Sequence, residues 1–328
     1  MALAPHISLM WLIYFTGCAC ALISSSRAAF TGRRFFDVGK TIAELTTDRR
    51  DSGWLYWVDP ANHNVERLSI RDSWTRPTGA EVQAVYHVEG VRRMAVFNDT
   101  LYVACKYKAP ATMDNIQLVN LRTRRATVLL PFDNPADIHV NRAVHNIAWI
   151  DTHRQMLRQA RLADPLDMQD VANLTLDALG SSRVHFAFSN KNNGIMYVAD
   201  LALYKKQVNT NQMVRCQQSL ASKPSPLSIA VDRIDGDLVY YANEAQQLLA
   251  VHCDRLHKKT LVANATTGLA LDEDTGILYF TRYWPQAGIY KASPHGSNTA
   301  DFVFPLSNIS RDGIVLMDVV KGYVYWVQ

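Results

Sequence analysis

WLYWVD, residues 54–59, is a short strand-forming stretch that recurs along the 328-residue chain. Its counterparts are LYVAC at 101–105, IAWID at 147–151, IMYVAD at 195–200, LVYYAN at 238–243, ILYFTR at 277–282 and YVYWVQ at 323–328. Anchored on the central residue, the series is Tyr56, Tyr102, Ala148, Tyr197, Tyr240, Tyr279 and Tyr325, with spacings of 46, 46, 49, 43, 39 and 46. A repeat of this length built on alternating strands rather than helices is the mark of a propeller blade. The copies predict an all-β chain with a single β-propeller of seven four-stranded blades. Six blades with an irregular N-terminal region is the alternative.

The blades follow in order around these anchors. Blade one is read as strands at 41–47, 54–59, 65–70 and 82–88, blade two as 94–97, 101–105, 116–121 and 127–130 with a turn at Asn98-Asp99. Blade three takes 137–141, 147–151, 156–162 and a strand around Val171, with a short helix allowed between Asp164 and Leu179. Blade four takes 185–189, 195–200, 206–209 and 214–218, with a tight turn at Asn192-Asn193-Gly194. Blades five and six are the most regular, SIAVDRIDGDLVYYAN and GLALDEDTGILYFTR. The last copy has only an inner strand, 314–319, and its anchor. An open ring would leave an unpaired sheet edge, so the strand RRFFDVG at 33–39 is expected to close the last blade from the N-terminal side.

Composition narrows the class. At 48% hydrophobic and 20% charged, the chain has a globular make-up, and its +4 net charge is small against 34 basic and 30 acidic residues. Basic residues come in isolated pairs such as Arg92-Arg93, not in the clusters that a phosphate-tracking surface needs, so nucleic acid is not an expected partner. Residues 7–23 carry no charge and are followed by three serines and Arg27, with small residues at Ala19 and Ala21. Residues 1–28 therefore read as a signal peptide, or as an anchor if the segment is retained, with the propeller domain at 29–328. Membrane contact is expected only in the second case, and the location is secreted or extracellular. Four glycan acceptor patterns, at Asn98, Asn173, Asn264 and Asn308, agree with export. Of five cysteines, Cys18 and Cys20 fall in the leader. Cys216 and Cys253, in consecutive blades, are the candidate disulfide, the other reading being two buried thiols. No Cys or His cluster has zinc spacing.

The repeated residues themselves read as structure. The first aromatic of each anchor strand and the residue after it point to opposite faces and should pack between neighbouring sheets. Asp59, Asp151 and Asp200 end anchor strands, and Asp232, Asp272 and Asp318 are read as ending inner strands, where a carboxylate accepts the backbone N–H groups of the next turn.

The order Leu-x-hydrophobic-Asp, a glycine turn, then Leu-Tyr resembles the Tyr-Trp-Thr-Asp propeller repeats of the low-density lipoprotein receptor family. It is also similar to insect ommochrome-binding and yellow-type propellers. The resemblance covers residues 41–328, is best kept in blades five and six, and rests on a packing motif that no copy carries in full. It implies an extracellular propeller that binds something.

Binding in a propeller is expected at one mouth of the central channel, on inner-strand starts and on the loops between second and third strands. The projected candidates are Arg93, Asp137, His185, Ser228 and Thr267 from the strands, and His153, Tyr204, Tyr283 and Trp284 from the loops. This mixed ring suits a small organic ligand or a protein partner and asks for no cofactor; calcium is the one ion left open. Calcium-dependent lactonase-type propellers need several convergent acids, and the projected ring holds only Asp137, with no Glu. A Gly-x-Ser-x-Gly elbow is absent too, so a non-enzymatic binding protein is the leading reading and a lactonase or hydrolase the alternative.

Overall fold

The computed structural model describes residues 19–22, 33–37, 42, 44–48, 53–69, 82–106, 115–131, 135–142, 144–164, 167–173, 185–189, 196–199, 203–206, 213–216, 226–232, 235–243, 246–255, 257–263, 265–272, 274–293, 300–306, 315–320 and 323–327. Every strand pairing among them is antiparallel.

Two N-terminal strands, β1 (Ala19–Leu22) and β2 (Arg33–Asp37), pair with each other. Six four-stranded sheets follow, each a meander of consecutive strands. The first is β3 (Leu45–Thr47), β4 (Trp54–Asp59), β5 (Asn64–Ser69) and β6 (Gln83–His87). The second is β7 (Val91–Phe97), β8 (Thr100–Cys105), β9 (Asn115–Asn120) and β10 (Ala126–Pro131). The third is β11 (Pro135–Asn141), β12 (Asn146–Asp151), β13 (Met156–Arg161) and β14 (Met168–Asn173), and the fourth β15 (His185–Phe188), β16 (Met196–Ala199), β17 (Leu203–Lys206) and β18 (Met213–Arg215). The fifth is β19 (Pro226–Val231), β20 (Leu238–Asn243), β21 (Gln247–His252) and β22 (His257–Ala263), and the sixth β23 (Ala265–Leu271), β24 (Leu278–Arg282), β25 (Gly288–Ala292) and β26 (Asp301–Pro305). The chain closes with the pair β27 (Leu316–Val320) and β28 (Tyr323–Val327).

Local chemistry explains where the strands turn. Asn98 and Asp99 both take positive φ, the conformation a two-residue hairpin loop requires and that Asn and Asp tolerate best. Asp59 accepts hydrogen bonds from the backbone of Ala61 and Asn62 at 3.0 and 3.2 Å, and Asp151 from His153 and Arg154 at 3.0 and 3.1 Å. These carboxylates are therefore fixed in turn geometry, and Asp232 and Asp272 serve the next turn in the same way.

The anchor aromatics are buried between sheets. Tyr102 shares a core with Trp149 of the following sheet, Tyr240 with Phe280, and Tyr279 with Trp326. Tyr241, one residue on and on the opposite face, packs back against Leu203 of the preceding sheet. Alternation along one strand thus staples each sheet to both neighbours, which uses up the repeated aromatics as core.

The inner strands lie side by side in the order β3, β7, β11, β15, β19, β23, β27, and β27 lies against β3. The seam is hydrogen-bonded: Asp318 Oδ2 accepts from the Thr47 backbone at 3.0 Å and from Thr47 Oγ1 at 2.6 Å, joining residues 271 apart in sequence. Contrary to the sequence reading, Asp318 sits within β27 rather than at its end. On the outside of the ring Cys216 and Cys253 form a disulfide, Cα to Cα 4.4 Å, between the fourth and fifth sheets. A crosslink closing 37 residues stabilises the fold by about 4 kcal/mol through the unfolded chain. Cys253→Ser should therefore lower the denaturant midpoint measurably; an unmoved midpoint would show that the two sheets hold without it.

Other expectations need correcting. The strand β14 occupies part of the segment where a short helix was allowed. The third strand of the fourth sheet is Leu203–Lys206, not 206–209, so Tyr204 belongs to a strand and not to a loop. The strand alongside β28 is β1, inside the segment read as leader, while RRFFD forms β2 on the far side of β1. The last blade is consequently not one four-stranded sheet: β27–β28 and β1–β2 are separate pairs. Among the described residues no helix is long and apolar enough to cross a membrane; residues 7–18 lie outside them.

Candidate functional site

Strand register defines the channel. The residue paired with each anchor on its inner strand is Thr46, Ala95, His139, Ala187, Ala230, Ala270 or Asp318. All seven line one cavity of about 310 Å³ that runs along the ring's axis. Four alanines leave the waist open, and a volume of this size is in the range of a small-molecule site.

Two residues upstream, where side chains return to the same side of each strand, lie Glu44, Arg93, Asp137, His185, Ser228 and Gly268. This layer is titratable on the first four sheets and small on the next two. Its entry is irregular: β7, β11, β19 and β23 each shift register near their starts, the kind of bulge that re-aims side chains at a sheet end. Gly268 has no room for a side chain, because a Cβ there would stand 2.7 Å from Thr281 Oγ1, which accepts the Gly268 N–H.

The charged arc is one connected cluster. Arg93 Nη1 donates to Glu44 Oε2 at 2.7 Å, and its Nε stands 3.6 Å from Asp137 Oδ1. Asp137 Oδ2 faces His139 Nε2 at 3.4 Å and His185 Nδ1 at 3.9 Å. Phe186 packs edge-on against the His139 ring, centroids 4.7 Å apart. Burial pushes the Glu44 carboxyl up to about 7, against the pull of Arg93. Burial also acts to raise Asp137, but His139, Arg93 and His185 outweigh it and draw the group down to about 2. Burial lowers the His185 imidazole, opposed by Asp137. Two carboxylates a few ångströms apart are thus driven to different protonation behaviour by their neighbours.

The structure brings Arg93, Asp137 and His185 together and adds Glu44 and His139. Ser228 stands across the mouth, its hydroxyl buried without a hydrogen-bond partner among the described residues. Register puts Gly268, not Thr267, at the equivalent place on β23, and the Thr267 side chain is outside what the structure describes. None of the sequence candidates, from strands or loops, is itself in the cavity lining, which of the cluster holds Glu44 and His139. His153 is exposed in its turn, Tyr204 is half-buried in β17, and the Tyr283 hydroxyl donates to Gln246 at 2.6 Å. Trp284 is 61% exposed. Of the glycan acceptors, Asn98 and Asn173 are exposed, whereas Asn264, Asn308 and also Asp200 lie outside the described residues.

Glu44 corrects the expectation of a mouth without glutamate. It was hidden because the first inner strand begins at Leu45 and not at 41, so its mouth end is nearer the hairpin than the apolar pattern suggests. Counting two residues back from the partner of Tyr56 finds it. Among the described residues no group of three or more His, Cys, Asp or Glu side chains is placed to hold a metal ion.

No protein-family model and no curated protein sequence matches the chain. Solved structures do. A chain of the mitotic checkpoint complex is similar over 100% of this chain and 96% of its own, with TM-score 0.64 and 9% identity. The fold is a β-propeller. A streptogramin B lyase is similar over 88% of this propeller and 93% of its own chain, TM-score 0.58, again at 9% identity. A chain of a nidogen/laminin complex aligns over 74% and 93%, TM-score 0.48, at 14% identity. Identities this low speak for the fold alone, and a propeller serves binding proteins and enzymes alike.

Proposed function

We propose that this propeller is a secreted, glycosylated, non-enzymatic binding protein whose ligand, a small organic molecule, enters the channel at the mouth formed by Glu44, Arg93, Asp137 and His185. One observation carries the reading: a cavity of about 310 Å³ is lined by Glu44 and His139, two members of a titratable cluster drawn from four successive sheets. Ion pairing of this density at a channel mouth, and not in the sheet cores, serves recognition. A protein partner seated over the same mouth is the broader form of this reading.

Seven inner strands in a ring, with β1 beside β28, support a seven-bladed propeller whose last blade is completed from the N-terminal side, in the manner of the Tyr-Trp-Thr-Asp type that the repeat resembles. Residues 1–28 are proposed as an export segment, and because β1 lies within it, β1 completes the last blade only where that segment is retained. Asn98 and Asn173 are proposed as glycan sites, since both are exposed.

A hydrolase or lactonase is the second reading, favoured by Glu44. A carboxyl with a pKa near 7 is poised for general acid–base work, and Asp137 beside two imidazoles is a conventional partner for it. Calcium suits the mouth less well. Arg93 occupies the space between the two acids and already claims their oxygens, so a hard cation would have to displace a guanidinium.

Mass spectrometry of the protein purified from its native source should report a mature N-terminus, glycans and a bound organic ligand together. Turnover of ester or lactone substrates that is lost in Asp137→Ala or His185→Ala, while the variants remain folded, would overturn the binding reading in favour of the enzyme.

A further inference from the structure

The cluster at the mouth is not symmetrical in what it shows to solvent. Side-chain exposure is 34% for Arg93 and 45% for His139, but 10% for Glu44 and 8% for Asp137. The acids are the more buried members and hold Arg93 and His139, the more exposed ones. Arg93 uses Nη1 on Glu44 and turns Nε to Asp137, and its Nη2 has no partner among the described residues. A guanidinium held at Nη1 and Nε by buried carboxylates keeps its Nη2 N–H groups to donate to a further acceptor. Across the mouth Ser228 offers a buried hydroxyl with no partner among the described residues. Below, Ile138, Ile229, Leu269 and Met317 supply apolar wall to the cavity.

We infer that the channel ligand is an organic anion, its carboxylate or equivalent acidic group held by Arg93 and His139 at the mouth and its apolar body inside the channel. A cationic ligand has less to gain, because both acids are already paired, Glu44 with Arg93 and Asp137 with Arg93, His139 and His185. The charge of the bound anion adds to that of Asp137 and favours proton uptake by Glu44. This inference rests on the channel-mouth reading above and adds the ligand's charge to it.

The test uses three probes of one shape, benzoate, benzamide and benzylamine, titrated into the full chain with ligand-observed NMR. Benzoate should bind best, and Arg93→Met should weaken it roughly tenfold or more, the scale of one charged hydrogen bond, while leaving benzamide unchanged. Calorimetry of the unaltered protein with benzoate in buffers of different ionisation heat should show net proton uptake, a readout that needs no variant to fold. If benzylamine or benzamide binds in the channel as well as benzoate or better, the anion inference fails and the channel reading stands. If none of the three binds, both fail.

Discussion

Asp318→Ala should open the ring at its seam, lowering stability by about 3 kcal/mol and making the seam strands the first to exchange their amide hydrogens. The carboxylate accepts two bonds from Thr47 and one from the Val319 backbone at 2.8 Å, and the site is buried. Removing it leaves the Thr47 amide and hydroxyl without their acceptor at a largely buried position, which is the costly direction of losing a hydrogen bond. Asp318→Asn keeps one accepting oxygen at the same position and should lose distinctly less. Denaturant unfolding of the two variants, with amide exchange resolved along the sequence, checks both statements. Equal and small losses would mean that the apolar contacts of β27 with β3 close the ring unaided.

Between pH 5 and pH 8 the largest pH effect should come from Glu44. Its carboxyl is raised from an ordinary 4.5 to about 7, so the folded protein binds this proton more tightly than the unfolded chain does. The resulting stabilisation is complete below about pH 4.5 and is lost as pH rises through 7, a fall of about 3 kcal/mol between those limits. Asp137 runs the other way. Lowered from 3.8 to about 2, it stabilises above pH 3.8 and loses that contribution as pH falls toward 2. His185, lowered by burial, likewise penalises folding as pH drops below its ordinary value, which opposes Glu44 over part of the same window. The comparison with Glu44→Gln removes that overlap, since His185 is common to both proteins. Unfolding free energies at pH 5 and pH 8 should differ by about 3 kcal/mol more in the unaltered protein than in Glu44→Gln, and a profile identical in the two would dismiss the buried acid as the cause.

Much of this fold was legible because its repeat is a packing rule. An aromatic in mid-strand with a hydrophobic on either side must be buried on both faces, and only a stack of sheets offers that to every copy. The carboxylates of Asp59 and Asp151 were legible for a similarly local reason, since an acid at a strand end satisfies the turn that follows. The mouth was only half legible. Arg93, Asp137, His185 and Ser228 fall at inner-strand starts that apolar alternation marks well. Glu44 and Gly268 were missed because a short first strand and a bulged sixth one move the mouth position by a few residues, and register of that kind is set by cross-strand pairing, not by sequence pattern. Tyr204 went to the wrong element because Leu203–Lys206 has two lysines where an apolar residue would mark a strand; Lys205 is in fact held by Asp237 and Asp254 of the next sheet, at 2.6 and 2.8 Å. The neighbour of β28 was missed because an apolar run near the N-terminus reads as leader before it reads as strand.

The bond between Thr47 and Asp318 also sets a timetable for synthesis. Each sheet is a meander of neighbours in sequence, so it can form soon after its own residues leave the ribosome. The seam cannot form until β27, near the end of the chain, has emerged. Until then the nascent protein is an open crescent, with the apolar flank of its first sheet and the growing end of its last both uncovered, and this interval is when it most needs protection from association with other chains.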